Sequence, residues 1–325
     1  MVQNRIAFVS AIALLGLCRT PVSDAKIPAA RFAKAFAGDT ERLSFTAVRG
    51  VLNTISADGS PAAEAAASSL EALRGLPGVV LIVHGTQNDP SRIGLPNPHS
   101  TFSHVVRSHL SSELTGVSFA WFSAPLSFKN QFLSFRRGAP TVYGLAKKSL
   151  KEQIAPLSRL IEAFPPQWSA VCHSLGCELI RITLESNPHL PKPRRMLLLS
   201  GDLREDALDR LSFAEGLEVF AVRSESDFPL SRSGFRKESK PFWKGEQARR
   251  SKWVDFVFSP AELEKGRRFS FDYNNRRRYW DHMATFEFGE TWKVYNDFLV
   301  HGLPLRTSIP QLRRIQLADA KNNRL

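Results

Sequence analysis

The stretch 168–180, WSAVCHSLGCELI, holds the strongest chemical signal in the chain. An apolar run enters Cys172-His173-Ser174-Leu175-Gly176 and leaves as a helical pattern through Leu179, Ile180 and Ile182. A serine with one small residue two places before it and another two places after it fits a strand-to-helix turn. Only small neighbours let the backbones pass closely enough there to lift the hydroxyl above a sheet. The pattern is G-x-S-x-G with Cys172 in place of the first glycine. Raised in this way, Ser174 has the character of a nucleophile for acyl transfer, and the free N–H of Leu175 at the start of the helix is suited to bind a developing oxyanion. A hydroxyl is a weak nucleophile at neutral pH, so the chemistry also requires a base and an acid to orient that base.

A second signal lies at 78–90, GVVLIVHGTQNDP, where an apolar run ends in His84-Gly85, 90 residues before Ser174. The two signals together resemble the α/β-hydrolase superfamily. The resemblance implies that the residue after the His-Gly pair, Thr86, supplies the second oxyanion-hole N–H beside that of Leu175. It also implies that His84 is structural and holds the loop.

In that family the order along the chain is serine, acid, histidine. Of the eight histidines, only His189, His282 and His301 follow His173. His189 sits in a Pro-flanked loop too soon after the serine, and His301 follows the last helical pattern and reads as a cap. His282, in Tyr279-Trp280-Asp281-His282-Met283, follows the last strand pattern and is the expected base. The expected acid is Asp227, in the segment after the apolar run 217–222, with Asp202 after the preceding run as its rival. Asp281 adjoins His282 in the chain, and chain neighbours rarely face each other well enough to act as an orienting pair.

The likeness extends to S-E-S-D-x-P-L-S-R-S-G at 224–234, W-V-D-F-V-F-S-P at 253–260, D-H-M-A-T-F at 281–286 and W-K-V-Y-N-D-F-L at 292–299. These look like a bacterial branch of serine hydrolases without assigned substrate, over residues 77–302. The implied activity is hydrolysis of a carboxylic ester, esterase- or lipase-like, through a covalent acyl-enzyme and without a cofactor. The substrate would be a small-molecule or lipid ester. An amidase or thioesterase uses the same triad, and a non-catalytic binding or scaffold protein can keep the same fold.

Strand and helix patterns must alternate to position these residues. Near-continuous apolar runs at 79–83, 117–122, 168–172, 196–200, 217–222 and 253–258 read as strands covered on both faces. Helical spacing joins Phe102, Val105, Val106 and Leu110, and again Ala146, Leu150, Ile154, Leu157, Ile161 and Phe164. The expected class is α/β, an α/β-hydrolase fold with a mostly parallel sheet of about eight strands and helices on both faces, with sites beyond the strands' carboxyl ends. Residues 42–55 are expected to add edge strands, and an Ala-rich helix is expected from Ser60-Pro61 to Gly75.

With 325 residues, 43% of them hydrophobic, the chain can bury one large core. Residues 1–25 read as a signal peptide, because the apolar run 6–17 follows Arg5, is too short to span a membrane and leads to Ser23-Asp24-Ala25. Cys18 raises lipid anchoring as a minority alternative, though Leu17 before it is larger than such sites take. A single domain is expected over 26–303, with irregular insertions at 123–143 and 231–252 and a tail at 304–325. Cys172 and Cys177 are expected as buried free thiols, so export rests on the leader alone, to the periplasm or the medium. The net charge of +13 is concentrated at 231–280, with 14 Lys or Arg against 6 Asp or Glu. That segment is suited to peripheral contact with an anionic membrane or phosphate; nucleic acid is not expected. No phosphate loop, dinucleotide fingerprint or metal spacing is present in the sequence. Expression with its leader in a bacterial host should yield a mature chain beginning at Lys26, read by N-terminal sequencing.

Overall fold

Runs of Val, Leu and Ile cannot leave either face in water, and here they become central strands. The computed structural model describes residues 43–55, 61–65, 67–86, 102–123, 142–201, 203, 216–224, 252–258, 285–286 and 291–303. The elements in chain order are β1 (Ser44–Val48), β2 (Val51–Ile55), β3 (Pro61–Glu64), α1 (Ala67–Arg74), β4 (Val79–Val83), α2 (His104–His109) and β5 (Thr115–Ala120). They continue as α3 (Val142–Glu162), β6 (Ser169–His173), α4 (Leu175–Ser186), β7 (Arg195–Leu199), β8 (Glu218–Ser224), β9 (Lys252–Phe258) and α5 (Thr291–His301). Among the described residues nine strands form one sheet in the order β3-β2-β1-β5-β4-β6-β7-β8-β9. Pairing is antiparallel at β1/β2 and β2/β3 and parallel across the rest.

Every residue of β4, β6 and β7 is buried. Because side chains alternate along a strand, each of these strands feeds two cores. Val79, Leu81 and Val83 pack in a cluster with Leu70 of α1, Leu157 of α3 and Leu179 of α4. Val80 and Ile82 pack on the other face with Val106 of α2 and with Trp292, Tyr295 and Phe298 of α5. The architecture is therefore α/β, a mostly parallel sheet with helices on both faces. No helix among the described residues is long and apolar enough to cross a membrane.

The edge strands expected in 42–55 form β1 and β2, joined by a tight hairpin in which Arg49 and Gly50 both take positive φ, 49° and 78°. The helix expected from Ser60 to Gly75 is corrected. Residues 61–64 pair with β2 through Asn53↔Glu64 and Ile55↔Pro61, and helix begins only at Ala67. Proline lacks an N–H, which costs nothing on an outermost strand, and pairing continues as the Ala65 N–H donates to Leu52 O at 2.9 Å. The leader 1–25, the tail 304–325 and nearly all of the insertions expected at 123–143 and 231–252 lie outside the described residues.

At the amino ends of the strands, Arg195 of β7 and Glu218 of β8 are register partners and form a buried ion pair at 3.2 Å. Arg195 also donates to Leu299 O and Val300 O at 2.7 and 2.8 Å, and Glu218 accepts from the Leu303 N–H at 3.3 Å. The cation thus meets the last carbonyls of α5, where the helix dipole favours it, and the pair fastens that helix to the sheet. Arg195→Met leaves Glu218 buried without its counter-ion and should cost about 3–5 kcal/mol in urea unfolding. The double variant Arg195→Met/Glu218→Gln should recover part of that loss.

Candidate active site

Strand β6 carries the chain to Ser174, whose backbone takes φ 50° and ψ −128° before α4 begins. Left-handed geometry at a residue with a Cβ costs about 1–3 kcal/mol and persists only where the surroundings enforce it. The Ser174 N–H donates to Leu199 O of β7 at 3.2 Å, and Ser174 O accepts from the Cys177 N–H at 3.1 Å. Ser174 occupies the N-cap position of α4, yet its side chain makes no capping hydrogen bond. A serine in that place ordinarily turns its hydroxyl onto the helix amides. Leu175 opens the helix and is buried, with its amide in the first turn, where intrahelical acceptors are lacking.

The loop after β4 lies directly against this turn. A Cβ on Gly85 would stand 2.7 Å from Ser174 Cβ and 2.9 Å from His173 Nδ1, so only glycine allows the contact. Gly176 is similarly pressed onto the end of β4, where a Cβ would lie 2.7 Å from Val83 O and nearer still to His84 O. Thr86, next in the chain after Gly85, is partly exposed at this junction. The sequence neighbour β5 lies on one side of β4 and β6 on the other. This is a topological switch point, and the crevice beyond its carboxyl ends is where open α/β sheets bind ligands.

His84 is wholly buried and holds the loop through both ring nitrogens. Its Nε2 accepts from the Trp121 backbone N–H at 2.9 Å, so the ring proton resides on Nδ1 and is donated to Gly85 O at 2.8 Å. The Trp121 indole N–H donates in turn to His84 O at 2.9 Å, and the two rings stack. Burial pushes the His84 imidazole down to about 3, against a smaller opposing effect of the Gly85 bond. It stays neutral at physiological pH and has no free nitrogen with which to act as a base.

Cys172 and Cys177 form a disulfide, which corrects the expectation of free thiols. Their Cα atoms are 5.0 Å apart, inside the range of about 4.4–6.8 Å that a disulfide spans. The expectation rested on the strain of bridging a strand end to the first turn of a helix. The left-handed step at Ser174 instead folds the first turn of α4 back towards the end of β6.

Aromatic side chains surround the residue before the serine. The His173 ring is tilted against Phe102 at 5.5 Å and meets Phe286 at 5.0 Å, while Phe102 and Phe286 are edge-to-face at 4.9 Å. The segment bearing Phe286 is held firmly. The Trp292 indole donates to Phe286 O at 2.9 Å, the Tyr295 hydroxyl donates to Thr285 O at 2.8 Å, and Thr285 Oγ1 lies 3.4 Å from Ser200 Oγ. Burial holds the Tyr295 phenol above its ordinary value, so it remains a donor. Ser200, at the end of β7, also takes a positive φ of 46°. Sequence reasoning assigned no role to Thr285, Phe286 or Ser200, although the motif D-H-M-A-T-F at 281–286 and the apolar run 196–200 contain them.

Ser174, Leu175 and the loop leading to Thr86 are thus brought together. His282, Asp227, Asp202 and Asp281 lie outside the described residues. His189 is exposed, 3.5 Å from Glu162. His301 ends α5 beside the Arg195 clamp, at the amino ends of the strands and so opposite to Ser174. Among the described residues no group of His, Cys, Asp and Glu is arranged to hold a metal ion.

The sequence matches no family model and no curated protein. Solved structures similar to the chain include one titled "Crystal structure of EstE5-PMSF (I)", with a TM-score of 0.40 and 13% identity, covering 90% of this chain and 98% of that one.

Between its unfolded value near 6.5 and its folded value of about 3, His84 takes up a proton only in the unfolded chain. Its contribution to stability is therefore complete above pH 6.5 and is lost on acidification, by about 1.4 kcal/mol per pH unit within that window. His84→Asn, which keeps a donor near Nδ1 but cannot ionise, should be less stable at pH 7. Its urea stability should fall less steeply than the wild type's between pH 6 and 4.

Proposed function

We propose that the chain is a serine hydrolase of α/β-hydrolase fold that cleaves carboxylic esters. Ser174 Oγ attacks the ester carbonyl, His282 takes the hydroxyl proton and returns it to the leaving alcohol, and Asp227 orients His282. The N–H groups of Thr86 and Leu175 hold the tetrahedral oxyanion, and water then cleaves the acyl-enzyme by the same route in reverse roles. This chemistry requires no cofactor.

The observation that carries the reading is the Ser174 backbone at φ 50° and ψ −128°, between β6 and α4, with its side chain left out of the helix cap. A conformation of that cost is retained at functional sites more than elsewhere. Three further features support it. Gly85 presses the loop that leads to Thr86 onto the serine. Thr285 and Phe286 are anchored beside His173, and the three residues back to His282 reach at most about 11 Å. His301 stands at the opposite end of the sheet from Ser174, which supports His282 over it as the base. The triad acid is assigned to Asp227 over Asp202 by its place after β8, and Asp227→Asn should therefore reduce turnover far more than Asp202→Asn.

Export is part of the same proposal. A disulfide persists in oxidising compartments, so the Cys172–Cys177 bond agrees with the leader at 1–25.

The test is labelling of the purified mature protein with a fluorophosphonate probe, with the adduct located by peptide mass spectrometry. The adduct is expected on Ser174 and should disappear in His282→Ala. Ser174→Ala should keep the wild-type urea midpoint while ester turnover drops by roughly a thousandfold or more. Undiminished ester hydrolysis by Ser174→Ala would overturn the mechanism.

A further inference from the structure

We propose that the Cys172–Cys177 disulfide is a positioning device for the nucleophile, a covalent strap that holds Ser174 in its left-handed conformation. The inference rests on the reading of Ser174 as the nucleophile and adds to it the element that keeps the hydroxyl in place.

The bond joins the fourth residue of β6 to the third residue of α4, and everything between is the turn itself: His173, Ser174, Leu175 and Gly176. Such a link, at a sequence separation of 5, closes a short ring around the turn. Its stabilisation of the whole chain through loop entropy is correspondingly modest, because that term grows with the length of the loop. What a short ring does restrict is its own backbone. With the ends of β6 and α4 tied at 5.0 Å, the intervening residues have few ways to close. An extended or right-handed Ser174 would carry α4 away from the end of β6.

The strap acts together with the non-covalent restraints on the turn. The Ser174 N–H bond to Leu199 O is 3.2 Å long, and the Cys177 N–H bond to Ser174 O is 3.1 Å. The serine side chain adds no cap bond of its own. Both cysteines are fully buried, in the cluster that also holds Leu175 and Leu179. Gly201 passes close to the bond, since a Cβ there would stand 3.1 Å from Cys177 Sγ. The strap therefore links the end of β6 to the first turn of α4, with the turn after β7 close against it. Burial also shields it from reductants in the folded state, which suits a permanent fixture and not a switch.

A positioning role predicts a split between binding and chemistry. In Cys172→Ala/Cys177→Ala the fluorophosphonate probe should still bind with a half-saturation concentration within about twofold of wild type. The maximal rate of Ser174 labelling should fall about tenfold or more, the factor that about 1.4 kcal/mol of lost preorganisation produces. The urea unfolding curve measured on the same sample, through its midpoint and slope, gives the folded fraction, and the rate is expressed per folded molecule. Peptide mapping without reductant should show 172 and 177 linked in the wild type. Should the double variant not fold, the wild type is reduced with excess dithiothreitol in urea below its unfolding midpoint. The reagent's two thiols are oxidised to its cyclic disulfide as Cys172 and Cys177 gain two electrons and two protons, and labelling is then measured after removal of urea. A maximal rate unchanged per folded molecule overturns the proposal, as does finding both thiols free in the active wild type. Failure of the wild type itself to label at Ser174 overturns both this proposal and the nucleophile assignment, whereas an unchanged variant overturns the strap alone.

Discussion

Two backbone turns approach each other more closely than any side chain larger than hydrogen allows, one after β4 and the other after β6. Gly85 meets Ser174 and His173 on one side, and Gly176 meets the carbonyls of Val83 and His84 on the other. Because β4 and β6 are neighbouring parallel strands, this contact determines where the serine stands relative to the loop that carries Thr86. The buried sheet beneath supplies the rigidity: its central strands are covered on both faces, so neither turn can retreat without opening a packed core. The site is a consequence of strand adjacency combined with the absence of two side chains.

Polar groups drawn into that core are committed to holding the turns. His84 places each ring nitrogen on a backbone group, which makes it a neutral brace between the loop and Trp121. Thr285 is held through its carbonyl by Tyr295 and approached through its hydroxyl by Ser200. At the far end of the sheet the Arg195–Glu218 pair fastens the end of α5 in a comparable way. Since α5 supplies Trp292 and Tyr295, the clamp at the amino ends and the brace on 285–286 belong to one helix. The same helix thus carries both the contacts to the buried ion pair and those to 285–286.

Most of the strands were legible in the chain because full burial on two faces demands continuous apolar runs; β4 coincides with the run 79–83, and β6 to β9 lie within a residue or two of theirs. The elbow was legible for a related reason, since a turn that tight excludes all but small residues around Ser174. The segment at 60–75 was misread because alanine favours a helix locally, while pairing with β2 is a long-range contact that propensity does not register. The disulfide was misread because the separation of residues 172 and 177 depends on how the whole turn between them folds, the positive φ of Ser174 included.

By itself the sequence determined most element types, their alternation and the small-residue turn that carries Ser174, because local sterics and burial periodicity impose themselves on neighbouring residues. Only the tertiary structure decided which backbone groups His84 holds and that burial keeps it neutral, that Cys172 and Cys177 are joined, and that Phe102 and Phe286 pack against His173. It also decided that His301 stands at the opposite end of the sheet from Ser174. Each of these depends on distances between residues remote in the chain or on a turn that reverses its direction. Such distances are set by how strands order themselves in a sheet, which no residue specifies alone.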